Sequence, residues 1–206
     1  MDVLEMARCE RADLADLLET LTPEQWSSPS LCSGWSVHDV VVHMVSYEEH
    51  GPRDLLGRWR RAGYSFGRLN DVALEEYRGM SPRESIAFLR EHLEPRGATS
   101  RFGGRVGLAD GLIHHQDIRR PLGLVRTIPP ERLRCVLAFA ILAPPLRGAW
   151  HARGVRLVAE DLDWEWGRGP EARGPGEAVL MALVGRRGAA EELTGPGAAT
   201  LRDRLG

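Results

Sequence analysis

The stretch LCSGWSVHDVVVHM, residues 31–44, decides how the first part of this chain is read. Ser36 is a good helix N-cap, and Asp39, three residues on, is a shortened capping-box partner. The apolar run after them carries one histidine, His43, flanked by Val41, Val42 and Met44 and a turn from Val40 and Tyr47. That setting turns His43 inward, to be a core histidine with one hydrogen bond or a ligand inside a helical bundle. The helix is expected to run through VHDVVVHMVSYEEH toward Gly51-Pro52. Cys32 and Trp35, in the loop before it, have packing as their default role, although Cys32 could line a pocket beside His43.

Working outward, Val3, Met6, Ala7, Leu14, Leu17, Leu18 and Leu21 form a helical stripe that stops at Thr22-Pro23, where a short turn of helix can start. Residues 53–80 have helical character broken by Gly57, Gly63, Gly67 and Gly79. Ser81-Pro82-Arg83-Glu84 is a complete capping box with proline at the first helical position, so a helix is expected through SIAFLREHL, ending before Pro95. VGLADGLIHHQDIRRPLG and PERLRCVLAFAIL each supply one more helix. Beyond Ala143-Pro144-Pro145 the pattern changes to short alternating runs, VRLVAED, DWEWG and EARG, before a helical EAVLMALVGRR. These imply a meander of strands with helices at 176–186 and 198–205. Trp164 and Trp166 alternate on one strand and should cover the sheet against its helices. The expected organisation is mainly α: a four-helix bundle domain over residues 1–150 and a small C-terminal α/β domain over 151–206.

Composition narrows the function. With 206 residues, 43% of them apolar, the chain can bury a core. Its longest apolar run, Cys135 to Ala143, is half of a membrane span, and the N-terminus does not read as a secretory signal, so a cytoplasmic protein is expected. Three widely spaced cysteines, Cys9, Cys32 and Cys135, argue against a disulfide framework or a cysteine zinc site. A net charge of -2 with interleaved signs argues against nucleic-acid or membrane partners and for small molecules, bound by a monomer or homodimer. All 27 residues in the Lys+Arg count are arginine, a bias attributed to a G+C-rich genome rather than to function.

Asp110 and His114 are four residues apart, on one helix face, and could chelate one ion. Carboxylate and neutral imidazole suit a borderline divalent ion such as zinc, and a third ligand from a facing helix would leave a position open. Asp117, three residues past His114, could orient it, or simply pair with Arg120. His115 points about 100° away from His114 and is assigned to surface or packing duty, touching Arg119.

Three strings, LCSGWSVHDVVVHM, ADGLIHHQDIRRPLG (109–123) and GPGEAVLMALVGRRGAAEELTG (174–195), occur in an order that resembles the mycothiol-dependent maleylpyruvate isomerase family, within the DinB/YfiT-like superfamily of metal-binding four-helix bundles. The resemblance implies a divalent metal, typically zinc, held by His43, Asp110 and His114, with the open position taken by the thiolate of mycothiol as cosubstrate. It implies thiol transfer, or addition and elimination that isomerises a double bond, with no protein nucleophile. This chain departs from the family in carrying Asp110 where glutamate is usual, one methylene shorter. The isomerase also uses an arginine of its small domain near substrate; Arg173 and Arg186 are the candidate counterparts in this chain, with a surface role as their default. A metal-dependent hydrolase, with hydroxide in the open position, and a non-catalytic stress-related binding protein are the other functions these residues allow.

Overall fold

The computed structural model describes residues 1–48 and 50–206. Contacts divide the chain into two compact units, Met1–Val125 and Arg126–Gly206. In the first unit, α1 spans Val3–Thr20, α2 Pro23–Trp26, α3 Val37–Val45, α4 Pro52–Arg61, α5 Phe66–Glu76, α6 Pro82–Glu91 and α7 Arg105–Arg119. Four of these form the bundle: α1 packs on α6 and α7, and α3 packs on the same two. Leu14, Leu18, Val37, Val40, Val41, Met44, Leu89 and Ile118 fill the core near one end, with Trp26 of α2 beneath them.

Local chemistry sets the helix starts. Thr22, Ser36 and Ser81 each accept from the backbone of the residue three ahead, and the side chains of Gln25, Asp39 and Glu84 return a bond to the cap backbone. The broken region resolves into α4 and α5, parted around Gly63, while Gly57 and Gly67 lie within the two helices rather than breaking them. The α3 helix stops earlier than the apolar pattern suggests. The expected continuation passes Glu49, which lies outside the described residues, but the helix already ends at Val45 and the Ser46 hydroxyl donates to the His43 carbonyl at 2.8 Å. Glu48 then turns inward, where its carboxylate accepts from Arg11 at 2.6 Å, Thr99 at 2.8 Å and the Arg96 backbone at 3.0 Å. A buried carboxylate with that many donors is worth more to the fold than another turn of helix.

The second unit contains α8 (Pro130–Leu142), a 3-10 turn (Pro144–Leu146), α9 (Gly148–His151), β1 (Arg156–Ala159), β2 (Trp164–Gly167), β3 (Glu171–Gly174), α10 (Gly176–Leu183), α11 (Arg187–Ala190) and α12 (Pro196–Leu205). Helix α8, read from sequence as part of the bundle domain ending near residue 150, packs on α9 and α10 within this unit, through buried Leu133, Val136, Leu137 and Ala140. The sheet is not a meander. Its order is β2-β1-β3, with β2 antiparallel and β3 parallel to β1. After β2 the chain crosses beneath the start of β1, and two glycines permit it. A Cβ on Gly167 (φ 91°) would lie 2.3 Å from the Val155 carbonyl oxygen, and one on Gly169 (φ 127°) 2.3 Å from that of Gly154. Trp164 and Trp166 share a face as expected, but both are only half-buried; the core consists of Leu157, Ala159, Ala172 and the α10 run Ala178–Leu183.

No helix among the described residues is long and apolar enough to cross a membrane. Nor, among them, does a disulfide join Cys9, Cys32 or Cys135.

Candidate metal centre

Helices α3 and α7 pack against each other in the bundle, and the residues read from sequence as a ligand set converge there. His43 Nε2 lies 3.7 Å from Asp110 Oδ1, and His114 Nε2 lies 3.5 Å from the same oxygen. The two imidazoles cross at 79°, centroids 5.0 Å apart, and one donor atom from each of the three residues falls within 4.8 Å of the others. Donors sharing a tetrahedral zinc ion at ordinary bond lengths stand about 3.3 Å apart, so small side-chain adjustments would bring these three onto one ion. All three side chains are largely buried yet keep some exposure, 11%, 21% and 13% for His43, Asp110 and His114, as an entry path requires.

The surroundings fix the imidazoles. Asp117, fully buried, sits 2.9 Å from His114 Nδ1 through Oδ2, so the Nδ1 proton is donated to it and Nε2 faces Asp110 and His43. A carboxylate behind a histidine in this way selects the tautomer and aims the other nitrogen. Trp35 packs at 5.1 Å from the His43 ring on one side and Tyr47 at 5.4 Å on another. The Tyr47 hydroxyl donates to Asn70 Oδ1 at 2.9 Å, and burial pushes its pKa up to about 12, so it stays a neutral phenol.

Charge in the centre is strongly coupled. Burial alone would raise the Asp110 pKa, but contact with His43 and the charges of His114, His43 and Arg11 outweigh it and hold the carboxyl below its usual range. Burial alone would lower the His114 pKa; the hydrogen bond to Asp117, the Cys32 contact and the charges of Asp110 and Asp117 reverse that and raise it to about 10.

Two further side chains have partners that the sequence reading did not name. Cys32, assigned to packing, does lie against the bundle core, but its Sγ also stands 3.2 Å from Asp117 Oδ2 and 3.8 Å from His114 Nδ1. Of the two roles read for His115, surface or packing, the structure has packing: it is fully buried, Nδ1 2.9 Å from Glu10 and Nε2 accepting from Arg119 Nε at 2.8 Å. The expected contact with Arg119 is present, and the unforeseen partner is Glu10. Trp35 further lines a cleft of about 360 Å³ whose other walls include His38, Asp39, Asp71, Glu75 and Tyr77. In the second unit, Arg173 on β3 pairs with Glu171 and, at 3.9 Å, with Glu160, while Arg186 donates to the Val184 carbonyl at 3.0 Å.

Comparison with known proteins finds similarity in sequence and in fold. Residues 7–102 match the family model described as the mycothiol maleylpyruvate isomerase N-terminal domain. This part of the chain is similar to that domain. The matched segment includes His43 and stops just short of α7, so the α7 side chains are placed by the structure rather than by the match. No curated protein sequence matches the chain. Among solved structures, a mycothiol-dependent maleylpyruvate isomerase is similar at a TM-score of 0.64 and 16% identity, covering 95% of this chain and 92% of that one. A histidine-to-alanine mutant of such an isomerase is similar at 0.57 and 17%, with the same coverage. At these identities the structural likeness establishes the fold: a helical bundle of the isomerase type followed by a small α/β unit.

Proposed function

We propose that this protein is a metal-dependent enzyme that uses mycothiol, a low-molecular-weight thiol, against a small electrophile, by S-transfer or by isomerisation of a maleylpyruvate-like double bond. The observation that carries the proposal is the convergence of His43 Nε2, Asp110 Oδ1 and His114 Nε2 inside a bundle whose N-terminal region matches the model of a mycothiol-linked domain. Two neutral nitrogens and one carboxylate oxygen suit a divalent ion of zinc's character and leave coordination positions for solvent or cosubstrate. When bound, the metal supplies a Lewis acid that makes an added thiol acidic at neutral pH.

The chain's own residues bind and orient. His43, Asp110 and His114 would hold the ion, Asp117 retains the Nδ1 proton of His114, and the Trp35 and Tyr47 rings pack against His43 on two sides. The cleft that shares Trp35 is the candidate seat for the unreactive part of the thiol, its carboxylates suiting hydroxyl groups. Arg173 and Arg186 of the second unit are the candidates for a substrate carboxylate. Transfer consumes the thiol and isomerisation returns it, so thiol stoichiometry separates the two reactions.

The test is turnover of maleylpyruvate and of simple electrophiles by zinc-loaded protein with and without mycothiol. Strict dependence on the thiol, abolished by His114→Ala, is expected. Thiol-independent cleavage of an ester or amide would replace this reading with a metal-dependent hydrolase; tight ligand binding by a protein that takes up no metal would replace it with a binding protein.

A further inference from the structure

From the contacts of Cys32 we infer that its thiol is a positioning group for the metal centre: it donates S–H to Asp117 and thereby holds the carboxylate that holds His114. Asp117 is fully buried, and its Oδ2 has the His114 Nδ1 at 2.9 Å and the Cys32 Sγ at 3.2 Å. A buried carboxylate needs donors fixed in place, and a mobile one would let the imidazole behind it swing.

The segment bearing Cys32 is itself fastened to α7 and internally rigid. The Leu31 backbone N–H donates to the Asp117 carbonyl at 3.0 Å, so adjacent residues of one loop grip the backbone and the side chain of the same aspartate. The Ser30 hydroxyl accepts from the Cys32 backbone at 3.1 Å, and the Trp35 N–H donates to the Cys32 carbonyl at 3.0 Å. That turn delivers the Trp35 ring to His43. A single loop, residues 30–36, thus sets both imidazoles, His114 through Cys32 and Asp117 and His43 through Trp35. The sulfur facing a carboxylate oxygen acts as a donor, which agrees with a reaction whose nucleophile comes from outside the protein.

A serine and valine pair at position 32 separates this role from packing. Cys32→Ser keeps a donor and loses apolar character; Cys32→Val keeps the apolar bulk and loses the donor. Two readouts apply: zinc affinity by chelator competition, and the His114 Nδ1–H resonance of metal-free protein in nitrogen-edited NMR, with thermal midpoints as a control on folding. Cys32→Ser is expected to keep the Nδ1–H signal and zinc affinity within about twofold, while Cys32→Val broadens or shifts that signal and weakens zinc by about 3- to 10-fold, even where valine is the more thermostable. Wild-type behaviour in Cys32→Val, or equal losses in both variants, would overturn the inference. So would a sulfur-to-cobalt charge-transfer band in the cobalt-substituted protein without added thiol that vanishes in Cys32→Val, because Cys32 would then be a ligand. The affinity readout rests on the metal reading proposed above, whereas the NMR readout does not. A wild type that binds no metal refutes that reading and leaves the His114 signal to decide the role of Cys32.

Discussion

His114 and His115 are neighbours on α7, and they end in opposite circumstances. His114 gives one nitrogen to Asp117 and turns the other toward Asp110 and His43 in a partly open centre. His115 has Glu10 at one nitrogen and Arg119 at the other, in a closed part of the bundle. The residue type is the same, the helix is the same, and a rotation of about 100° per residue separates them. What makes one a candidate ligand is a nitrogen aimed at other donors of the right kind and left within reach of solvent. What makes the other structural is that protein groups already satisfy both of its nitrogens.

The sharpest way to break this comparison is substitution of each histidine in turn. His114→Ala should abolish zinc retention while leaving a folded protein, as judged by circular dichroism and elemental analysis. His115→Ala should leave Glu10 buried without its imidazole partner and destabilise the fold by about 3 to 5 kcal/mol in urea unfolding, with zinc stoichiometry unchanged in the folded fraction. A His115 variant that loses zinc selectively would erase the distinction.

Next in size is Asp117→Asn, which keeps the shape but removes the charge behind His114; zinc affinity should fall by about 10- to 100-fold in chelator competition. A smaller effect comes with pH. In the metal-free protein the His114 pKa is raised from 6.5 to about 10. The stability this lends is full below about 6.5 and is lost as pH rises through about 10. Thermal midpoints of metal-free protein should therefore fall across that window in wild type and flatten in His114→Ala. Zinc must displace the same proton, so its apparent affinity should climb over the same range. Smallest is Ser81→Ala at the start of α6, remote in role from the centre, which should cost about 1 kcal/mol and leave zinc binding untouched.

Much of this was legible in the sequence, because the signals were local. Capping chemistry at Ser36 and Ser81 and the proline at position 23 announce helix starts within four residues, and the Asp110–His114 spacing announces a shared face. What was not legible depends on partners far along the chain. The sequence leaves His115 between a surface and a packing role until Glu10, 105 positions earlier, is brought beside it. Helix α8 carries the same apolar pattern whether it joins the bundle or, as it does, α10. The parallel pairing of β3 with β1 is hidden because a strand's alternation does not name its neighbour; only the clustered glycines 167 and 169 hint that the chain must cross something closely. Glu48 likewise ends α3 for reasons that lie in Arg11, Arg96 and Thr99.

The central claim is that His43, Asp110 and His114 together hold one divalent ion. Its most direct test is to strip the protein of metal, reload it with zinc, remove the excess and count zinc per chain in wild type, His43→Ala, His114→Ala and His115→Gln. The account predicts about one zinc in wild type and in His115→Gln and none in the other two. Zinc retained in His43→Ala and His114→Ala, or absent from the wild type, would contradict it.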